Sequence, residues 1–175
     1  MIFVHDKGRM ANNILQYGHL YAWGREHGRT TMSMRFAYKC PWFHICDTPH
    51  HNFPTYVFAK YAAKLGLIPT VRFDEAGADY SREEQVMLQR MHVVATGWEA
   101  RWYDLFLKYK DEIVGLFAFH DDVEQHVANL TSRHEGCLKL GVHIRRGDYA
   151  TFYGGRFLYT DEQFVALIRQ CLKLH

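Results

Sequence analysis

Two adjacent arginines in the carboxyl-terminal third of the chain carry the strongest chemical signal. The segment His143-Ile-Arg-Arg-Gly-Asp-Tyr149 follows an alternating apolar pattern at residues 138–144, which predicts a buried strand. Ligands of open α/β sheets bind at the carboxyl ends of strands. A guanidinium group can donate two parallel hydrogen bonds to the oxygens of a phosphate, and here two such groups are adjacent. The glycine lets the backbone approach a bulky ligand. We therefore predict a pyrophosphate site formed by His143, Arg145, Arg146, Gly147, Asp148 and Tyr149.

A second interpretation of this segment stays open. One arginine could pair with Asp148 or another acid while the other is solvated, as is common for surface ion pairs. The residue types alone favour neither interpretation.

The segment Gly8-Arg-Met-Ala-Asn-Asn-Ile-Leu-Gln-Tyr17 is the second candidate. It joins a predicted strand to a predicted helix, and Gly8 would supply a tight turn there. Asn12 or Asn13 would either cap the helix or bind the polar edge of a ligand.

A loop rich in cysteine and histidine offers a competing chemistry. Five potential metal ligands lie within twelve residues, and zinc could bind four of them: Cys40, His44, Cys46 and His50. Their spacing matches no standard zinc finger, and three prolines between Arg35 and Pro54 limit how closely the ligands can converge. The sequence therefore predicts no metal, with this loop as the alternative.

The elements that must position these residues follow from apolar periodicity. Four strands are predicted at Ile2–Val4, Thr30–Met34, Thr70–Phe73 and His92–Thr96, with amphipathic helices between them. The segment Ser81-Arg-Glu-Glu84 is typical of a capping box that opens a helix. Further helices are predicted over 104–120, 121–133 and 161–172, the last capped by Thr160 and burying Phe164, Leu167, Ile168, Cys171 and Leu172. This order of elements predicts an α/β fold with a Rossmann-like parallel sheet and flanking helices.

Composition limits the functional class. The chain has 175 residues, of which 48% are hydrophobic, enough to bury a core. Its net charge of +2 is too small for general nucleic-acid or membrane binding. No apolar run approaches the roughly 20 residues of a membrane span, and the beginning of the chain does not resemble a signal peptide. Together with four irregularly spaced cysteines, these features predict a cytoplasmic protein with reduced thiols.

Taken together, the two glycine-containing segments resemble the fucosyltransferases that use GDP-fucose. The likeness is strongest to the alpha-1,2-fucosyltransferases (glycosyltransferase family 11), and extends to relatives that make alpha-1,6 or O-linked fucose. Their arginine motif reads His-x-Arg-Arg-Gly-Asp-Tyr, which residues 143–149 fit at every fixed position. Their amino-terminal motif is matched at Gly8, Asn12, Gln16 and Tyr17, with departures at Met10, Ala11 and Asn13.

The resemblance implies a GT-B-type enzyme in which two Rossmann-like halves face each other across a cleft. Residues 1–135 would form the amino-terminal, acceptor-side half. Residues 136–175 would begin the GDP-fucose-binding half with its first βα unit. Since the arginine motif starts at residue 143 of 175, the resemblance implies a partial chain that need not be active alone.

The activity implied is inverting transfer of fucose from GDP-fucose to a hydroxyl of a glycan ending in galactose or a similar sugar, with no cofactor. Arg145 would contact the phosphate, supported by Arg146, while His143 and Asp148 shape the nucleotide site. Asp148 and Asp6 are the candidates for the general base. The alternatives are a non-catalytic sugar-nucleotide-binding or structural module, and a zinc-loop protein.

Overall fold

The chain divides into two compact units in the computed structural model. One comprises residues 1–131 and the other residues 132–175. The structure describes residues 1–74, 78–132, 134, 136–137 and 139–173. The two units are described separately below.

A parallel sheet forms the centre of the first unit, as the sequence predicts. Its four strands among the described residues are β1 (Ile2–Val4), β2 (Thr31–Ser33), β3 (Thr70–Arg72) and β4 (Val93–Thr96). Every pairing is parallel, and the strand order is β2-β1-β4-β3. All residues of β1, β2 and β4 are buried, because a parallel sheet is covered by helices on both faces.

Six α-helices of the described residues belong to the first unit or end at its boundary: α1 (Met10–Glu26), α2 (Phe53–Lys64), α3 (Tyr80–Gln89), α4 (Tyr103–Lys108), α5 (Lys110–Leu116) and α6 (Asp121–Ser132). The predicted capping box at 81–84 is wrong, because the side chain of Asp79 caps α3 by accepting from the Arg82 N–H. The single helix predicted over 104–120 is also wrong, since it divides at Tyr109 into α4 and α5.

The core lies on both faces of the sheet. Successive side chains of a strand point to opposite faces, so Ile2 and Val4 pack in one cluster with Trp23 of α1, while Phe3 packs in the other with Ala59 of α2. With both faces covered, a ligand can reach the sheet only at the ends of its strands.

The part of the second unit that the structure describes contains one long helix, α7 (Asp161–Leu172), preceded by short 3₁₀ turns at Gly147–Ala150 and Phe152–Gly155. The capping box of Thr160 with Gln163 confirms the predicted start of the helix. Residues 139–146 form no strand, so the predicted strand at 138–144, and with it the predicted first βα unit, is wrong over the described residues. Residue 138 lies outside them.

Residues 139–146 form no strand because the described residues of this unit provide no neighbouring strand. A strand is stable only when its backbone groups pair with another strand, and the described residues of this unit form none. For the same reason, the described residues of this unit offer α7 no strands to cover, and its predicted buried face is wrong. Leu167 and Leu172 are 55% and 56% exposed, Cys171 is exposed, and Phe164 and Ile168 are only half-buried.

Within the described residues, no helix combines the length and the apolar character needed to cross a bilayer.

Candidate functional site at the carboxyl edge of the sheet

A cleft of about 420 Å³ opens where the sheet changes winding direction. The chain runs from β1 to β2 on one side, then crosses to β3 and returns to β4, which pairs with the other side of β1. The carboxyl ends of β1 and β4 therefore flank the switch point at which α/β proteins bind ligands. His5, Asp6 and Lys7 line the cleft after β1, and Thr96 lines it at the end of β4.

The loop between β1 and α1 is fixed by buried amides. Gln16 Oε1 accepts from the Lys7 N–H at 3.1 Å, and its Nε2 donates to the carbonyls of Lys7 at 2.7 Å and Asn12 at 3.0 Å. Asn13 Nδ2 donates to the same Lys7 carbonyl at 3.1 Å. Gln16 and Asn13 are both buried and do not line the cleft. They hold the loop that carries the cleft residues.

The predicted asparagine cap of α1 is wrong. The N-cap residue is Arg9, with no side-chain cap bond, and Asn12 and Asn13 lie inside the first turn. The Lys7 carbonyl already engages the Asn13 amide, so this side chain serves the loop. Gly8 does form the expected tight turn with φ +88°, and a Cβ there would lie 2.9 Å from the Asn12 amide nitrogen.

Asp6 is the buried acid of the cleft. Its Oδ2 accepts from Ser33 Oγ at 2.6 Å, whereas Oδ1 has no hydrogen-bond partner among the described residues. Burial raises the pKa of Asp6 to about 7, outweighing the lowering by the Ser33 hydrogen bond and by the charge of Arg35. The carboxyl can therefore exchange a proton near neutral pH.

Ser33 holds Asp6 in place and was not predicted from the sequence. Its Oγ also accepts from the N–H groups of Arg35 and Phe36 at 3.2 Å. Its own N–H donates to His51 Nε2 at 2.9 Å. Burial lowers the pKa of His51 to about 4, which keeps this acceptor nitrogen unprotonated. A serine at the end of a predicted strand was the available signal, because such residues reach the ligand edge of a parallel sheet.

Basic side chains dominate the rest of the cleft. Five cationic residues line it, Lys7, Arg35, Lys60, Lys64 and Arg72, against the single carboxyl of Asp6 among the described residues. Lys7 Nζ is 2.6 Å from Asp74 Oδ2, and Arg35 donates to the Tyr38 hydroxyl at 3.2 Å. Burial, and then the nearby cations, lowers the pKa of His5. The cleft is thus suited to an anionic ligand.

A glycine completes this edge. Gly97 follows β4 with φ +130°, and a Cβ there would lie 2.7 Å from the backbone nitrogen of Asp74. The two strand ends can approach so closely only without a side chain at this position.

The predicted donor residues lie in the second unit, in residues 143–149. Arg145 Nη2 is 3.2 Å from Asp148 Oδ2, and its guanidinium carbon lies 4.3 Å from the centre of the Tyr149 ring. Arg146 pairs with Asp161. The two arginine side chains are 42% and 51% exposed, so these are surface ion pairs and not interior ones. The phosphate-binding roles of His143, Arg145, Arg146, Gly147, Asp148 and Tyr149 stay predictions.

The four ligands of the zinc alternative are not brought together. Cys46 Sγ donates to the carbonyls of Phe36 and Cys40, each at 3.3 Å. Burial raises the pKa of the Cys46 thiol to about 11 and also raises that of Cys40, so neither readily forms the thiolate that zinc binds. Within the described part of the chain, the group of ligand atoms close enough to hold a metal is that of His44, Asp47 and His120, which excludes Cys40, Cys46 and His50.

Comparisons of the chain with protein-family models, with curated proteins and with solved structures find no match. The fold and site define the class as an α/β protein with a cation-rich cleft at the carboxyl edge of a four-stranded parallel sheet.

Proposed function

We propose that the chain is a glycosyltransferase of the inverting type that moves fucose from GDP-fucose to a sugar hydroxyl. The observation that carries the proposal is the Asp6 carboxyl, which is buried in a cationic cleft. One of its oxygens has no hydrogen-bond partner in the described part of the chain, and its pKa is raised to about 7. The choice of GDP-fucose as donor rests on the resemblance of residues 143–149 to the fucosyltransferase motif.

Asp6 is the general base in this proposal, in preference to Asp148. Asp6 Oδ1 takes the proton of the acceptor hydroxyl while Ser33 holds Oδ2. The acceptor oxygen forms its bond to C1 of fucose from the face opposite GDP, and the bond from C1 to the phosphate oxygen breaks. GDP leaves with the electron pair, and the protonated Asp6 returns its proton to solvent. A base whose pKa lies near the working pH is best suited to this transfer.

Cationic groups stabilise the charge that develops on GDP. Arg145 and Arg146 contact the phosphates in the proposal, as the resemblance of residues 143–149 implies. Each charge-assisted hydrogen bond contributes roughly 1.5–3 kcal/mol. The scheme uses no cofactor besides the donor substrate. We place the protein in the cytoplasm, where its four free cysteines would stay reduced.

The test is fucose transfer by the complete gene product, from labelled GDP-fucose to lactose-like and galactose-ended acceptors. Asp6→Asn should lower turnover by ~10²–10⁴-fold while GDP-fucose affinity stays within about threefold. Asp111→Asn is the matched control, because Asp111 is an exposed residue in the first turn of α5. Unchanged turnover in Asp6→Asn would overturn the role of Asp6.

A non-catalytic sugar-nucleotide-binding module is the second candidate. It is favoured by the ion pairs that Arg145 and Arg146 already form with acids. GDP-fucose binding without turnover of any acceptor would support this module and reject the transferase. With turnover, Arg145→Lys should lose most activity, because a point charge cannot replace the planar fork.

A further inference from the structure

A group of metal-ligand atoms lies outside the cleft, between the 3₁₀ turn His44–Asp47 and the residue that precedes α6. It consists of His44, Asp47 and His120, whose ligand atoms all lie within 4.8 Å of one another. We propose that these three side chains bind one divalent transition-metal ion, of which Zn²⁺ best suits the ligands. The proposal is independent of the transferase activity.

The spacing of the ligand atoms fits a metal. Asp47 Oδ2 is 3.0 Å from His120 Nε2 and 3.5 Å from His44 Nδ1. Ligands at about 2.0–2.1 Å from a tetrahedral zinc are separated by roughly 3.3 Å. The two measured separations lie on either side of that value, so small side-chain rotations would place a metal among the three atoms.

Hydrogen bonding leaves one of these atoms available. His120 Nε2 is shielded from solvent and makes no hydrogen bond with any described residue, although Asp47 lies close to it. A shielded imidazole nitrogen without such a bond is unfavourable unless it binds something else. A metal ion would satisfy it and would also neutralise the nearby carboxylate.

The backbone around the ligands holds them in position. His120 N–H donates to the Trp42 carbonyl at 3.0 Å, and His44 N–H donates to the Ala118 carbonyl at 3.2 Å. Between these bonds, the Phe43 and Phe119 rings stack with centroids 5.0 Å apart. His44 and Asp47 share one turn of 3₁₀ helix. The site is therefore largely formed before metal binds.

Two imidazoles and a carboxylate are ligands that zinc accepts, with a fourth position for water. Exposed side-chain fractions of 46% for His44 and 63% for Asp47 give an ion access from solvent. The bound ion would connect the irregular loop after β2 to the segment before α6. Because the unfolded chain does not present these ligands together, binding would stabilise the fold.

The proposal is tested on metal-free protein without a histidine tag, by calorimetric titration with ZnCl₂ at neutral pH. We expect one Zn²⁺ per chain and a higher thermal midpoint with zinc present. His120→Ala and Asp47→Asn should each weaken binding by at least ~10–100-fold, the range found even for changes outside the ligand shell. His50→Ala is the matched control, because His50 is an exposed histidine of the same loop and should bind zinc as the unmodified chain does.

The variant Asp47→Asn distinguishes the loss of a metal ligand from the loss of the fold. Its side chain is 63% exposed, so this variant should keep its circular dichroism spectrum while losing zinc. Absence of stoichiometric binding in the unmodified chain would overturn the proposal. Binding that survives both Asp47→Asn and His120→Ala, or that is lost in His50→Ala, would overturn it as well.

Discussion

The cleft in residues 1–131 and the arginine segment 143–149 are held by different kinds of contact. In the cleft, Asp6 bonds to Ser33 across 27 positions of sequence, and Thr96 Oγ1 donates to the His5 carbonyl across 91. In the arginine segment, Arg145 pairs with Asp148 three positions away, and Arg146 pairs with Asp161 of the same unit. The first region is thus fixed by the tertiary fold, and the second by local contacts at the surface.

This difference bears on how each region would act on a ligand. Buried groups fixed by several elements are already oriented before a ligand arrives, which is what a general base requires. Exposed ion pairs contribute little to stability and can exchange partners. Arg145 and Arg146 can therefore break their pairs with Asp148 and Asp161 and bind a phosphate with little loss of free energy. Stability measurements on matched variants can break or sharpen this comparison.

The largest expected loss of stability is that of Gln16→Ala. The substitution removes three hydrogen bonds to the backbone of Lys7 and Asn12 and leaves a cavity in a buried region. We expect the free energy of unfolding to fall by roughly 2–5 kcal/mol, measured by urea denaturation. Gln89→Ala, at the exposed end of α3, should change it by less than about 0.5 kcal/mol. Similar losses in both variants would show that the loop is not held as described.

Asp6→Asn should have the next largest effect, and it should depend on pH. The pKa of Asp6 is about 7 in the folded chain and near 3.9 in an unfolded one. Between these values the folded state binds more protons, so this residue makes stability fall as pH rises from about 4 to 7. The asparagine of the variant does not ionise, so its free energy of unfolding does not fall over this pH range. Above pH 7 it should exceed that of the unmodified chain by a few kcal/mol, since each unit of pKa difference corresponds to about 1.4 kcal/mol.

The measurement is the free energy of unfolding of both proteins from pH 4 to 8. The difference between them should grow with pH up to about 7 and then stay constant. A difference independent of pH would mean that Asp6 is ionised throughout, and that its burial does not favour the neutral acid.

The periodicity of the sequence was sufficient to predict the sheet, but it was not sufficient to predict the candidate site. Ile2–Val4 and Val93–Thr96 are mainly apolar runs, and Thr31–Ser33 and Thr70–Arg72 lie in short segments with β-branched residues. Parallel pairing follows from the helices between them. Periodicity carries no information on which polar side chains converge. Ser33 and Asp6 meet only because β1 and β2 pair in the register that places Val4 beside Ser33.

The errors also have physical causes. The pattern at 138–144 is typical of a strand, but pairing depends on a partner that no local pattern supplies. His120 lies 76 positions from His44, so spacing within the cysteine-rich loop could not reveal that these two side chains meet. Asn13 has a capping residue type, yet a carbonyl two residues before the cap engages its amide.

The smallest expected effect compares two arginines directly. In the first unit, Arg29 donates to the backbone carbonyls of Leu88, Arg90 and Met91, so Arg29→Lys loses most of a fork that joins distant segments. We expect it to lower the free energy of unfolding by about 1–2 kcal/mol. Arg145→Lys should change it by less than about 0.5 kcal/mol, because its pair with Asp148 is exposed. Urea denaturation of both variants, followed by far-ultraviolet circular dichroism, measures the contrast. If Arg145→Lys proved as destabilising as Arg29→Lys, the arginine segment would be part of a packed structure, and its freedom to turn toward a phosphate would be lost.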